Sequence, residues 1–204
     1  MFKISEFAPY FSKNSFDIKP ETKIYSKKKE INKKKEDIDL LFYTVYTNVK
    51  LVQNVNDILK QYNERDEKIK IAEQLEQMKF KNKDDIMNNI IYDKRIKLIT
   101  LNMICKLLNI NLIYIYDKLF IRMKYNNTNP IVINNFCKII EDFDLENLNN
   151  MFEINLEKSL KSVSSYKLGE LQEIAKKMDI TIDKKKKQDL YNEIKEYLNN
   201  HRFN

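Results

Sequence analysis

LITLNMICKLLNINLIYIYDKLFIRMKY, residues 98–125, decides the fold class of this chain. Its first half has helical spacing: Leu101, Ile104, Cys105 and Leu108 fall on one face, and Thr100 is the expected N-cap, its hydroxyl satisfying a free amide of the first turn. From Ile110 to Tyr116 the chain turns almost wholly apolar and rich in β-branched and aromatic residues, as a buried strand requires. Asp117-Lys118 then reads as a turn, and residues 119–125 as a returning strand with Arg122 and Lys124 on its wetter face. Pro130 followed by Ile131-Val132-Ile133 adds a third short strand. A helix feeding a hairpin, with helical patterns on either side, makes the fold α+β and predominantly helical.

Working outward, apolar residues recur at helical spacing from Leu40 to Leu59, giving one or two helices over 37–62. A further helix is expected over 66–79, with Ile69, Ala72, Leu75 and Met78 on one face, and a shorter one near 84–91. Residues 135–161 read as one or two helices and a connector. The pattern divides the chain into a basic, extended or disordered arm (1–36), an α+β middle (37–160) and a C-terminal two-helix module (161–204).

Charge follows that division. Residues 1–36, which include all but the final Asp37 of the run KKKEINKKKED starting at Lys27, hold 10 Lys against 5 acids. The middle is nearly neutral, with 17 basic and 18 acidic residues, and the last 44 residues hold 10 basic against 7 acidic. A neutral core between basic ends suits an anionic partner. The composition also has a plainer source: one glycine, no tryptophan and an excess of Lys, Asn and Ile are what an AT-rich genome encodes.

Several functions are disfavoured. No apolar run approaches the roughly 18 residues of a membrane span, and MFKISEFAPY lacks the apolar core of a signal peptide. An intracellular, non-secreted protein without a membrane partner is expected. Cys105 and Cys137 have no CxxC spacing and His201 is the sole histidine, so no zinc site assembles; buried, reduced thiols are expected. One glycine leaves no room for a standard phosphate-binding glycine loop. No metal, cofactor or catalytic residue is assigned, and the expectation is a non-enzyme.

The C-terminal stretch SSYKLGELQEIAKKMDITIDKKKKQDLYNEIKEYL (164–198) carries the functional reading. Leu168, Leu171, Ile174, Ala175 and Met178 mark one helix, and Leu190, Ile194, Tyr197 and Leu198 a second, with ITIDKKKK between them. Two such helices bury too little to be secure alone, so the pair is expected to lean on the rest of the chain. Lysines at the start of the second helix add charge where free N–H groups and the positive end of the helix dipole already favour phosphate. Tyr166 and Tyr191 are candidates for stacking on bases. Gly169 falls where a close backbone approach would be tolerated, or simply where a helix starts tightly.

The pattern Leu168-Glu170-Leu171-Ile174-Ala175-Lys176-Ile180, then Lys187-Gln188-Asp189-Leu190-Tyr191-Ile194, resembles SAP-type modules and, more closely, the N-terminal domain of the bacterial transcription terminator Rho. That resemblance implies a helix, an extended loop and a second helix that hold DNA or RNA by the backbone. By position the contacts would be Lys167, Lys184, Lys185, Lys186 and Lys187. Asp179 and Asp183 stand where such modules usually have a glycine and a small residue, placing two negative charges beside the loop.

Two looser resemblances complete the picture. Asp37-Ile38-Asp39-Leu40-Leu41-Phe42 is similar to the opening D-G-N-C-L-F of ovarian-tumour-type deubiquitinases, with Leu40 at the nucleophile's place and no histidine after the hairpin. A relative of that kind would be catalytically dead, because leucine has neither nucleophile nor titratable proton. Over roughly 37–198 the layout also resembles proteins of large double-stranded DNA viruses, which implies the host cytoplasm or the virion. The leading expectation is a nucleic-acid-binding accessory protein of low sequence specificity, with a protein partner for the middle domain. The alternative is a structural or protein-interaction protein, such as a virion component, whose lysines are composition bias.

Overall fold

The computed structural model describes residues 38–51 and 63–201. The basic arm over 1–36 and the second half of the helical pattern over 37–62 therefore lie outside the described residues. From Ile38 onward the described chain belongs to one compact unit.

Helix α1 (Leu40–Leu51) begins at Asp39, whose Oδ1 accepts the Phe42 amide at 3.1 Å. Helix α2 (Glu64–Glu76) opens on Asn63, whose side chain accepts from the Arg65 amide, and carries Glu64, Asp66 and Glu67 in its first turn, where the helix dipole favours them. Its buried face is Lys68, Ile71, Ala72 and Leu75, while Ile69 is exposed. The expected face is thus rotated, because a lysine is drawn inward. Lys68 Nζ meets Asp39 Oδ2 at 2.8 Å and Glu64 Oε1 at 3.0 Å, and Asp39 Oδ2 also accepts the Ile96 amide at 2.6 Å. A charge-paired lysine tolerates burial that an unpaired one would not.

Helix α3 (Lys83–Tyr92) leads to α4 (Leu98–Leu107). The N-cap of α4 is Lys97 rather than Thr100, which lies inside the first turn, fully buried, with no partner for its hydroxyl. Helix α4 ends in a Schellman turn: the Ile110 amide bonds to Cys105 O at 3.0 Å and the Asn109 amide to Lys106 O at 3.2 Å, with Asn109 at φ 53°. Asparagine fills this left-handed position in a chain that has almost no glycine to place there.

The sheet order is β3-β1-β2-β4. Strands β1 (Leu112–Tyr116) and β2 (Leu119–Met123) form the expected antiparallel hairpin across Asp117-Lys118, with Tyr116 opposite Leu119. Strand β3 (Ile131–Asn134) runs parallel to β1, and the two-residue β4 (Phe152–Glu153) runs parallel to β2. Asn111, buried just ahead of β1, holds the β2–β3 connection: its Oδ1 accepts the Tyr125 amide at 2.7 Å and its Nδ2 donates to Thr128 O at 2.7 Å.

Alternation places Leu112, Tyr114, Leu119, Ile121 and Met123 in the main core with the helices. Ile113, Ile115, Phe120 and Val132 face the other way, under Leu148, Phe143 and Met151. Burial on both faces explains why β1 is apolar throughout. The cover on the second face comes from turns and a 3-10 helix (Leu145–Asn150), so the α-helices expected over 135–161 do not form. The apolar residues there are too sparse for a helical stripe and serve instead as separate plugs.

The C-terminal helices are α5 (Leu168–Lys177) and α6 (Lys187–Asn200). Leu171, Ala175, Met178, Leu190, Ile194 and Leu198 are continuous with the main core, so the pair does lean on the rest of the chain. Six α-helices and a mixed four-stranded sheet among the described residues make the fold α+β.

Candidate nucleic-acid interface

Helices α5 and α6 point the same way. At one end, Asp179 Oδ2 pairs with Lys118 Nζ at 3.1 Å, and the Tyr197 hydroxyl donates to Asp117 Oδ2 at 2.8 Å. Both contacts land on the hairpin turn. At the other end, Tyr166 and Tyr191 approach with ring centroids 6.5 Å apart, one just ahead of α5 and the other in the second turn of α6. The two C-terminal ends therefore rest on the hairpin, and the two N-terminal ends lie together, about 15 Å away at 1.5 Å per residue. Partial positive charge gathers at that far end.

Lysines are distributed unevenly around it. Lys186 is the N-cap of α6 and makes no side-chain cap, while Lys187 opens the helix. Lys184 is exposed and sits at φ 55°, a left-handed conformation uncommon for a lysine. Lys185 differs from its neighbours: its ammonium is held by Glu193 Oε2 at 2.5 Å. Lys167 caps α5, and its own amide donates to Glu170 Oε2 at 2.6 Å, so a carboxylate already occupies that helix start. Asp189 lies in the first turn of α6, but the helix has no cap of its own. Of the five lysines expected as contacts, Lys184, Lys186 and Lys187 surround an uncapped helix start, Lys167 shares its site with Glu170, and Lys185 is spent internally.

Two features lay beyond sequence reasoning. The Asp179 carboxylate is balanced by Lys118, and Asp179 is the left-handed residue of a second Schellman turn, with the Ile180 amide on Ala175 O at 2.9 Å and the Asp179 amide on Lys176 O at 3.2 Å. An aspartate serves there where glycine is common. The tyrosines are clamps: the Tyr191 hydroxyl donates to Lys161 O at 2.9 Å, and the Tyr166 hydroxyl accepts from the Lys161 amide at 3.0 Å. Half-buried and bonded in this way, they fix the segment before α5 against α6. Gly169 meets open space where a Cβ would stand, so internal packing does not require a glycine there.

The other chemistry-bearing residues lie apart. His201 stacks on Tyr197 (centroids 4.2 Å) and meets Tyr116 edge-on (5.5 Å), at the hairpin end of the module. Tyr197 is raised above its ordinary pKa, first by burial and then by its bond to Asp117. Burial pushes the Cys105 thiol up to about 12, and burial followed by the Asp39 carboxylate raises Cys137, against a smaller opposing effect from Arg95. Both thiols are free; Cys105 is buried and Cys137 only partly so. Leu40, the first residue of α1, is exposed. Among the described residues no group of three or more His, Cys, Asp or Glu side chains is arranged to hold a metal, and no helix is long and apolar enough to cross a membrane.

Compared with known protein families, with curated proteins and with solved structures, the chain matches none.

Proposed function

We propose that this chain is a non-catalytic nucleic-acid-binding accessory protein that grips the phosphate backbone at the joined N-terminal ends of α5 and α6. The observation that carries the reading is the uncapped start of α6, flanked by Lys184, Lys186 and Lys187 and set beside the start of α5. Free amides and a positive dipole end favour phosphate, and lysine binding releases condensed counterions. The tyrosine clamps argue against base stacking, so contact is with the backbone and sequence preference is weak.

Labelled duplex and single-stranded DNA and RNA, titrated across a salt series, test this. Each lost phosphate contact should reduce the slope of log K against log salt by about 0.9 on duplex DNA. Changing Lys184, Lys186 and Lys187 together to Ala is expected to flatten the slope by about 2–3 such steps, whereas Lys185→Ala leaves it nearly unchanged. A slope equally shallow for the intact protein and the triple variant would overturn the reading and leave the lysines as solvated surface.

A further inference from the structure

The middle of the chain exposes two patches that complement one another. The first surrounds the start of α1. The Thr44 hydroxyl donates to Cys137 O at 2.9 Å, which lays the turn after β3 against α1 one helical turn from Leu40. Leu40 is 54% exposed and Phe136, next to Cys137, is 71% exposed. Arg95 immediately precedes Ile96, whose amide meets Asp39 Oδ2 at 2.6 Å at the start of α1, and Lys138 follows Cys137. Arg95 and Lys138 are both exposed, and neither has an ion pair among the described residues. The patch is therefore apolar at its centre and cationic at its edge.

The second patch is the segment EDFDLE, residues 141–146, on the other face of the sheet. Leu145 is 45% exposed, flanked by Glu141, Asp142, Asp144 and Glu146, all four exposed and without an ion pair among the described residues. Its neighbours Phe143 and Leu148 are pinned against the cluster of Ile113, Ile115, Phe120 and Val132. The segment therefore cannot fold back onto the Leu40 patch of its own molecule without leaving that core.

We infer that the Leu40–Phe136 patch docks the 141–146 segment of a second copy of this chain, with Leu145 as the apolar anchor and its carboxylates opposite Arg95 and Lys138. Apolar burial would supply the holding force, and opposed charges would set register and exclude wrong partners. Because the two patches lie on one chain, each molecule can both offer and receive the segment. The inference is independent of the C-terminal module, so loss of nucleic-acid binding would leave it standing.

Sedimentation velocity on the nuclease-treated intact chain, over rising concentration at low and high salt, provides the test. The weight-average mass should climb above the 24.7 kDa of one chain, and high salt should weaken the association by screening. Phe136→Asp, Arg95→Glu with Lys138→Glu, and Glu141→Lys with Glu146→Lys should each weaken association by at least about tenfold. All these positions are exposed, and circular dichroism checks that the variants remain folded. Mixing the two charge-reversed proteins should restore association, which no general loss of stability would do. A chain that stays monomeric at every concentration overturns the inference, as does association that these substitutions leave unchanged.

Discussion

Replacing Asp39 by Ala removes a buried carboxylate that joins three parts of this fold. The side chain is 1% exposed and accepts from three donors: the Phe42 amide, the Ile96 amide and the Lys68 ammonium. These tie the start of α1 to α2 and to the segment ahead of α4. Loss of an N-cap costs about 1 kcal/mol, and leaving a buried charge wholly unpaired costs about 3–5 kcal/mol; here Glu64 Oε1, 3.0 Å from Lys68 Nζ, still pairs the ammonium. The two overlap, since both arise from one carboxylate, and Glu64 keeps part of the pairing, so about 2–4 kcal/mol is expected in total. For a chain of this size that corresponds to a fall in Tm of roughly 4–16 °C. Urea denaturation of the intact chain, followed by circular dichroism, measures it. The decisive comparison is with Asp39→Ala combined with Lys68→Met. Removing the ammonium, left with Glu64 alone, should recover part of the loss, because part of the cost lies in the under-paired charge. A single variant within about 1 kcal/mol of the original, or a double variant as unstable as the sum of both singles, would refute this account.

Three further outcomes are expected. Gly169→Ala should stabilise by about 0.4–1 kcal/mol, since the added methyl meets open space on a helix; a simultaneous loss of DNA affinity would show that a phosphate approaches the backbone there. Lys184→Gly should relieve the left-handed backbone and raise stability by about 0.5–1 kcal/mol, while lowering nucleic-acid affinity, so that thermal melting and binding move in opposite directions. The Cys105 thiol, raised from 9.0 to about 12, gives alkaline sensitivity of definite sign. Below pH 9 it is protonated in both states and contributes nothing. Between pH 9 and 12 only the unfolded chain releases the proton, so stability should fall by up to about 1.4 kcal/mol per pH unit from this group. Cys105→Ala should make the alkaline limb shallower by one proton, and identical slopes in urea titrations would count against it.

Left-handed backbone explains how a chain with one glycine can still turn. Of the seven described non-glycine residues with positive φ, five are Asn or Asp, whose short polar side chains best tolerate that conformation. Asn109 and Asp179 do the same work at the ends of α4 and α5. A composition biased against glycine thus leaves the Schellman turns intact and changes only the residue that makes them.

The amino-acid sequence by itself determined what depends on local periodicity. The hairpin across Asp117-Lys118, the short β3, and the helices corresponding to α2 through α6 were legible because burial repeats along each element. The lysine cluster at the start of α6 was legible as well. Tertiary structure decided what depends on which surfaces meet. Lys68 rather than Ile69 turns inward because Asp39, 29 residues earlier, waits for it. Thr100 is buried inside the first turn of α4 rather than capping it, because the chain enters that helix three residues earlier. The stretch 135–161 covers a sheet face with isolated plugs, a role that leaves no period to read. At the candidate interface, Glu193 withdraws Lys185, and Lys118 balances Asp179 from 61 positions away. Charge alone could not rank the five lysines, because an ammonium's availability depends on the carboxylates the fold brings to it.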